Sequence, residues 1–328
     1  MAGAGCEKRA PSTDAGPGLS PPVATTASSM PATATATSSS VAASVASSFD
    51  APADPCGQEG SDDAVPVRGK SIGHTSVVFK LELSSGARVA WKPNAKKVTG
   101  RYKGEVAAYR LGRALGIDNV VPACARAFEP RAVTPAIGAD AGAALLDEAI
   151  VEQGKIYGAT IAWVDGLQFW PLEKEPLRAE VKTWLTAGRP IPEAKADLAR
   201  QASTLVAFDF VSGNWDRYSG ENIGLDKQGK TVLFIDNDAA FMEGPPKDAL
   251  TRNRALLDQT DRFSKRVIAR LRGLDAQRLT TIFGDEDAGR PLLSPKVISL
   301  VAQRVTELLE VVDAKVAAHG SEETLYFP

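Results

Sequence analysis

The sequence predicts a two-lobed α+β domain, with a small β-rich lobe over about residues 65–165 and a larger helical lobe over about residues 166–328. Short runs of β-branched and aromatic residues fill most of the first part. Long segments with apolar residues at three- and four-residue spacing dominate the second part. Because the two halves differ in periodicity, we expect a cleft where the chain passes from one lobe to the other.

The composition excludes several functional classes. A hydrophobic content of 44% is sufficient for a sizeable core in a chain of 328 residues. The formal net charge of −2 argues against a nucleic-acid partner attracted by bulk charge. No apolar run is long enough to span a bilayer, and no internal repeat is present. We expect a soluble monomer.

Residues 1–64 predict a disordered tether, because they are rich in Ala, Ser, Thr and Pro and contain a single aromatic residue, Phe49. Small residues precede Cys6, as they precede the lipidated cysteine of a bacterial lipoprotein, but the apolar part of such a signal is absent. Two locations therefore stay open: the cell envelope or exterior, with a membrane tether through a lipidated Cys6, or the cytoplasm.

The three cysteines, Cys6, Cys56 and Cys124, lack the spacing of metal ligands. Cys124 lies in an apolar context and is expected to be a small buried side chain. Cys56 would pair with Cys124 only in an oxidising compartment.

A β-hairpin is predicted over residues 77–83 and 87–93, around a Ser-Ser-Gly turn. A loop of small residues precedes the hairpin. Backbone N–H groups of such a loop can hold phosphates, and hydroxyl groups add donors. An ordinary turn has the same composition, so the loop alone does not decide between the two. The candidate phosphate-binding residues in this loop are Gly73, His74, Thr75 and Ser76.

Lys92 ends the second strand of the hairpin, and Glu105 is the only acid in the helix predicted over residues 101–116. A lysine paired with a carboxylate can hold the α- and β-phosphates of a nucleotide. The alternatives are an exposed lysine at a strand end and an acid that interacts only with the helix dipole.

The remaining elements are predicted from periodicity and length. Residues 130–148 are interpreted as a surface insertion, and Phe169, Trp170 and Trp184 as core or lid anchors. The predicted strand regions are residues 119–128, 149–152, 158–164 and 231–235, and the predicted helices are residues 193–209, 250–274 and 295–318.

Residues 203–241 contain the strongest functional signal. A polar turn carries Asp216, Asn222 follows it, and a strand ends in Asp236-Asn237-Asp238. Hard oxygen ligands of this kind suit Mg²⁺ or Mn²⁺ in a phosphoryl transferase. Asp216 would orient an attacking hydroxyl, while Asp236 and Asn222 would hold the metal. Each residue taken singly also suits an ordinary turn.

Two blocks of sequence resemble a known group of enzymes. The chain is similar to atypical kinases of the four-jointed-related secretory-pathway type, and more distantly to HipA-type toxin kinases and phosphoinositide lipid kinases. The resemblance covers roughly residues 68–241. The residues that carry it are Ala90-Trp91-Lys92-Pro93, residues 104–111, Val121-Pro122, Gly213-Asn214-Trp215-Asp216-Arg217, Asn222-Ile223-Gly224 and Ile235-Asp236-Asn237.

The resemblance implies a two-lobed protein-kinase-like fold and ATP-dependent phosphoryl transfer to a hydroxyl on a protein or glycan, with Mg²⁺ or Mn²⁺. Lys92 would contact the nucleotide phosphates and pair with Glu105, and Asp216 would orient or deprotonate the acceptor hydroxyl. Asp236 and Asn222 would bind the metal, and residues 73–76 would cover the phosphates.

The chain departs from the pattern of these families at three positions. Tyr218 stands where they have His, Asn222 lies six residues beyond Asp216, and Asp238 replaces a Gly. Two alternatives therefore stay open beside an active protein or sugar kinase: a nucleotide-binding pseudokinase that acts as a scaffold, and a small-molecule kinase.

Overall fold

The structure, a computed structural model, describes Pro55, residues 63–73 and residues 77–328. Most of the predicted tether, residues 1–54 and 56–62, lies outside the described residues. Residues 74–76 of the predicted phosphate-binding loop also lie outside them. The described residues belong to one structural unit.

A six-stranded antiparallel sheet occupies the first half of the described chain, with the order β1-β2-β3-β6-β4 and β5 beside β6. The predicted hairpin of β2 and β3 is confirmed. The strands are β1 (Pro66–Ser71), β2 (Phe79–Leu83), β3 (Arg88–Pro93), β4 (Ala123–Phe128), β5 (Val151–Glu152) and β6 (Lys155–Ala162). Cys124 on β4 is half-buried, which corrects the expectation of a buried side chain, and it is disulfide-bonded, the alternative that the sequence left open for an oxidising compartment.

Three helices cover this sheet: α1 (Tyr102–Leu115), α2 (Pro130–Ile137) and α3 (Ala139–Glu148). The prediction of α1 is confirmed, and its C-terminal cap is Gly116 at φ 63°. The interpretation of residues 130–148 as a surface insertion is wrong. Val133 and Leu145 are fully buried against β-strand residues such as Leu81. Small residues and an internal Pro135 mask the apolar spacing of these two short helices.

A second, three-stranded sheet has the order β7-β8-β9, from β7 (Gln168–Phe169), β8 (Ile223–Leu225) and β9 (Val232–Phe234). Two helices lie between β7 and β8 in the sequence: α4 (Leu177–Trp184) and α5 (Ala196–Ser212). Trp170 and Trp184 are buried, in agreement with their interpretation as anchors. Phe169 is 52% exposed and therefore lies outside the core, and its role as a lid anchor stays a prediction.

The C-terminal part is helical apart from a short hairpin. The predicted single helix over residues 250–274 is wrong, because the chain breaks before Ser264, whose side chain caps a second helix by accepting from the N–H of Val267 at 3.4 Å. The predicted last helix is confirmed. The elements are α6 (Lys247–Asp258), α7 (Lys265–Leu271), α8 (Ala276–Phe283), β10 (Asp285–Asp287), β11 (Arg290–Pro291), α9 (Pro295–His319) and α10 (Ser321–Thr324).

One hydrophobic core joins α1 to the helical part, with residues of α5, α7, α8 and α9 in the same cluster. The backbone N–H of Phe234 on β9 donates to the carbonyl of Asn119 at 2.9 Å, just after α1. The α+β class is therefore confirmed, with an N-terminal sheet followed by a helical region. The boundary near residue 165 stays a prediction. Among the described helices, none has the length and apolarity to cross a bilayer.

Candidate functional site

Lys92 is the centre of a cluster of charged side chains that come from three separate segments. Its Nζ lies 2.6 Å from Oε1 of Glu105 on α1 and 2.5 Å from Oδ1 of Asp236 after β9. Oδ2 of Asp238 lies 3.3 Å away. The structure thus brings together Lys92, Glu105 and Asp236, which are far apart in the sequence.

The position of Lys92 follows from the alternation of β3. Val89 and Trp91 are buried on the sheet face that packs against α2 and α3, so Lys92 extends from the opposite face, where α1 lies. Lys92 pairs with Ala159 in the neighbouring β6. The pairing of β3 with β6 therefore fixes the position along the strand from which the ammonium group reaches the first turn of α1.

The approach of α1 to the segment after β9 depends on Gly104. A Cβ at this position would lie 2.5 Å from the carbonyl oxygen of Asn237 and 3.2 Å from Cα of Asp238. No larger residue fits without moving one of the two segments. Because Glu105 is the next residue, this close approach sets the distance between its carboxylate and Asp236.

The surroundings of Lys92, Asp236 and Asp238 shift the pKa values of these three groups in different directions. Burial alone would lower the pKa of Lys92, but Glu105, Asp236 and Asp238 together raise it above its usual range. Desolvation opposes ionisation of Asp236, yet Lys92 lowers the pKa of that carboxyl below its usual value. Burial and the charges of Asp236 and Glu105 raise the pKa of Asp238. Of the two aspartates, Asp236 is therefore the one whose ionised form the cluster favours.

The backbone at Asp236 is in the left-handed region, with φ 54°. This conformation is uncommon for a residue other than glycine and occurs often at functional sites. The side chain of Asn237 supports it, because Nδ2 donates to the carbonyl of Phe234 at 2.9 Å and to Oε2 of Glu105 at 3.3 Å. The side chain of Asp236 is 43% exposed, so one side of it contacts Lys92 and solvent reaches the other.

Asp216 lies in a polar loop that begins where α5 ends, at Gly213 with φ 65°. Oδ1 of Asn214 accepts from the N–H of Asp216 at 3.2 Å and shapes the turn. Within the part of the chain that the structure describes, the carboxylate of Asp216 has neither a hydrogen-bonding nor an ionic partner. This half-buried carboxylate is therefore available to contact a group that enters the site.

Asn222 lies beside Asp236 through strand pairing. Ile223 pairs with Phe234, so the register places Asn222 opposite Ile235, the residue before Asp236. Its Nδ2 donates to the carbonyl oxygen of Asp216 at 2.7 Å. Among the described residues, no donor reaches its Oδ1, which leaves a hard oxygen available to a metal.

The predicted phosphate-binding loop is described only in part. Gly73 donates its N–H to the carbonyl of Val78 at 3.3 Å, at the start of the loop. His74, Thr75 and Ser76 lie outside the described residues, and their role stays a prediction.

A small apolar cluster separates the two sheets next to the charged residues. Its buried members are Val121, Ala162 and Leu233. Ile235, the residue before Asp236, packs against it. Val164 and Leu167, where the sequence predicts the passage from one lobe to the other, also pack against it.

A groove of about 580 Å³ opens beside the N-terminus of α1. Two of its lining residues connect it to the site. Arg101 forms an ion pair with Asp238, and Sδ of Met242 accepts from Nε1 of Trp215, the residue before Asp216, at 3.3 Å.

Sequence reasoning missed several residues that hold the site together. Asp209 and Arg217 form a fully buried ion pair, and Asn253 on α6 donates to the carbonyl of Asn214 at 2.8 Å. The signal for Asp209 was present, since an acid between Phe208 and Phe210 in an apolar helix requires a buried partner. Asn253 carries no comparable signal, because an amide in a polar helix is ordinary.

The fold of this chain is similar to that of several solved structures. The Golgi casein kinase with Mn/ADP bound aligns with a TM-score of 0.59 and 14% identity, over 80% of this chain and 76% of that one. Hydra Fam20 with sugar aligns with a TM-score of 0.59 and 15% identity, over 81% of this chain and 90% of that one. No protein-family model and no curated protein sequence matches the chain. The chain therefore has a kinase-like fold, which confirms the predicted two-lobed kinase-like architecture.

Proposed function

We propose that this protein is an ATP-dependent phosphotransferase of the four-jointed-related secretory-pathway type, with the hydroxyl of a protein or glycan as acceptor. The observation that carries the proposal is the contact of Lys92 with both Glu105 and Asp236, at 2.6 and 2.5 Å. A lysine held by a helix carboxylate beside a metal-binding aspartate is the arrangement that positions nucleotide phosphates in kinases.

The nucleotide would bind between the two sheets. The ammonium group of Lys92, which is protonated throughout the physiological range because its pKa is raised, would contact the phosphates. The apolar cluster of Val121, Ala162 and Leu233 offers a surface on which a base can pack. Gly73 and the residues after it would cover the phosphates.

The oxygen atoms at the site fit Mg²⁺ or Mn²⁺. The carboxylate of Asp236 is ionised and 43% exposed, and Oδ1 of Asn222 accepts no hydrogen bond from a described residue. Hard cations of this size take carboxylate and amide oxygens together with phosphate oxygens. When bound, the cation would neutralise charge on the phosphates. The fold likeness to a kinase with Mn/ADP bound supports the choice of nucleotide and metal.

Asp216 would orient the acceptor and take its proton. The acceptor oxygen attacks the γ-phosphorus of ATP, the bond to the β,γ-bridging oxygen breaks, and ADP leaves with that electron pair. The hydroxyl proton passes to the carboxylate of Asp216, which has no competing partner among the described residues. In this chemistry, positioning and charge supply most of the rate enhancement.

The compartment and partners follow as further parts of the proposal. The disulfide at Cys124 supports an oxidising environment, such as the exterior of a cell or a secretory compartment. Attachment to a membrane through a lipidated Cys6 is compatible with that location. The protein would act as a monomer on protein or glycan acceptors and would not bind nucleic acid.

The test uses the full chain with γ-labelled ATP and Mn²⁺ or Mg²⁺ over a panel of unfolded proteins, glycans and small polyols. We expect label to move to a protein or glycan acceptor, and Asp236→Ala to abolish the transfer. Equal transfer by Asp236→Ala would refute the metal assignment. A thermal shift with ATP and metal but no turnover would identify a pseudokinase instead. Label found only on polyols would identify a small-molecule kinase.

A further inference from the structure

Arg217 is fully buried, and its guanidinium group contacts three segments of the chain at once. Nε lies 3.1 and 3.0 Å from the two carboxylate oxygens of Asp209 on α5. Nη1 donates to the backbone carbonyl of Asn222 at 2.7 Å and to that of Ile235. Nη2 donates to Oδ1 of Asn237 at 2.5 Å. One side chain therefore ties the end of α5 to the start of β8 and the end of β9.

The residues that Arg217 contacts include or adjoin the three residues to which the proposed function assigns a proton or a metal, Asp216, Asn222 and Asp236. Asp216 directly precedes Arg217 in the sequence. Asn222 accepts through its own carbonyl, and Asp236 lies between Ile235 and Asn237, which also accept from the guanidinium group. A shift of Arg217 would consequently move Asp216, Asn222 and Asp236 relative to one another.

Asp209 fixes the guanidinium group from the other side. It is 1% exposed, and it is the only ion-pair partner of Arg217 among the described residues. A buried guanidinium group without a counter-charge is strongly unfavourable, so the place of Arg217 depends on this carboxylate. Neither side chain is exposed enough to touch a substrate.

The same loop is held on a second side by α6. Nδ2 of Asn253 donates to the carbonyl of Asn214 at 2.8 Å and to that of Asp209 at 3.4 Å. Nη2 of Arg252 donates to the carbonyl of Trp215 at 2.7 Å. These bonds fix the loop relative to α6. The distance of the loop from β8 and β9 is set by the contacts of Arg217, which Asp209 holds in place.

We propose that the Asp209–Arg217 ion pair is a positioning unit, which sets the placement of Asp216 relative to Asn222 and Asp236. This inference rests on the proposed function for its catalytic consequence. Both residues act through their neighbours, and neither is a catalytic residue.

The test compares three variants with a matched control. Asp209→Asn keeps the size of the side chain and removes its charge, while Arg217→Lys keeps the charge and removes the planar fork. The control is Asp226→Asn, at a buried aspartate that accepts from the N–H of Lys230 at 2.8 Å in the β8–β9 turn, away from Arg217. The double variant Asp209→Asn/Arg217→Gln removes both charges and so removes the unpaired buried charge.

We expect kcat per folded molecule at saturating ATP to fall roughly tenfold or more in Asp209→Asn and Arg217→Lys, since small displacements of reacting groups cost this much. The Mn²⁺ concentration at half-maximal activity should rise in the same variants, and Asp226→Asn should keep both values within about twofold. In the double variant kcat should stay low even where its thermal stability equals that of the wild type. Recovery of kcat together with stability would show a merely structural role and overturn the inference.

Hydrogen exchange gives a readout that does not require activity. In Asp209→Asn, deuterium uptake should rise together in residues 213–224 and 232–241 and stay unchanged in residues 79–93. If the wild type transfers no phosphate but uptake rises in both segments, the proposed function fails and the positioning role of the pair stands. Unchanged uptake in either segment overturns the inference, whether or not the wild type is active.

Discussion

The carbonyl oxygen of Asn237 lies only 2.5 Å from the point that a Cβ on Gly104 would occupy. This close approach joins the first turn of α1 to the segment that carries Asp236. Lys92 can contact Glu105 and Asp236 together only if α1 and that segment lie at a fixed distance from each other. The direct packing of the Gly104 backbone against the backbone of Asn237 sets this distance.

Gly104→Ala should therefore lower activity more than its single methyl group suggests. The added Cβ pushes α1 away from Asn237, which lengthens the distance between Glu105 and Asp236. We expect a stability loss of about 1–3 kcal/mol from overpacking, together with a fall in kcat/KM of about tenfold or more. Urea denaturation and steady-state kinetics measure the two effects.

Gly244→Ala is the matched control for this prediction. Gly244 lies in the segment after β9, has no heavy atom within 4 Å of the added Cβ and has no positive φ. We expect a stability change within about 0.5 kcal/mol and unchanged kinetics. Similar kinetics for the two variants would show that the approach of α1 to Asn237 does not matter for catalysis.

Asp238→Asn should strengthen nucleotide binding. The carboxylate of Asp238 lies 3.3 Å from Nζ of Lys92 and competes with phosphate oxygens for it. Asparagine keeps an acceptor for Arg101, the ion-pair partner of Asp238, and removes one negative charge near the phosphates. We expect the Kd for ATP to fall about threefold to tenfold, a change of about 1 kcal/mol.

The control for Asp238→Asn is Glu243→Gln, which removes an exposed acid that accepts from Ser294 at 2.8 Å. Calorimetric titration with ATP and Mn²⁺ should give wild-type affinity for this control. A weaker Kd for Asp238→Asn would mean instead that the carboxylate supports the site, through Lys92 or through Arg101.

Glu105→Gln should reduce turnover while the protein stays folded. The carboxylate of Glu105 is 2% exposed and holds Nζ of Lys92 at 2.6 Å, whereas the amide is a weaker acceptor of the same shape. Lys92 keeps Asp236 and Asp238 as partners, so the ammonium group would shift towards them. We expect kcat/KM to fall about 100-fold. A loss below threefold would show that Lys92 is positioned by the aspartates alone.

The sequence was sufficient for the residues whose chemistry is local. The positions of Lys92, Glu105 and Asp236 could be predicted because a strand end, a helix start and a second strand end each leave a signal in hydrophobic periodicity. Their roles in a reaction stay predictions. Gly104 could not be predicted, because its importance lies in the distance to Asn237, which is 133 residues away in the sequence.

The helices over residues 130–148 were missed because alanine and glycine blur the contrast between their buried and exposed faces. The ion pair of Asp209 and Arg217 was missed for a different reason. The two side chains meet only because the loop after α5 folds back onto that helix.

The buried pair of Asp209 and Arg217 should give the protein a distinct pH dependence. Burial raises the pKa of Asp209 to about 6, although Arg217 opposes the shift. Between about pH 4 and pH 6 the folded protein therefore binds more protons at this carboxyl than the unfolded chain does. Its contribution to the free energy of unfolding falls as pH rises across this window and is constant above it, by roughly 3 kcal/mol in all. Above pH 6 the ionised carboxylate holds Arg217 in place, so we expect kcat to rise through this range while that stability contribution declines.

Urea denaturation of the wild type and of Asp209→Asn at half-unit steps from pH 4 to pH 7 isolates this contribution. As pH rises, the free energy of unfolding of the wild type should fall by roughly 3 kcal/mol relative to that of Asp209→Asn. The difference should then level off near pH 6. The acid limb of the kcat profile should lie near the same pH in the wild type and should be absent from Asp209→Asn. A difference that is flat with pH would show that Asp209 is ionised throughout, and that Arg217 outweighs burial in setting its pKa.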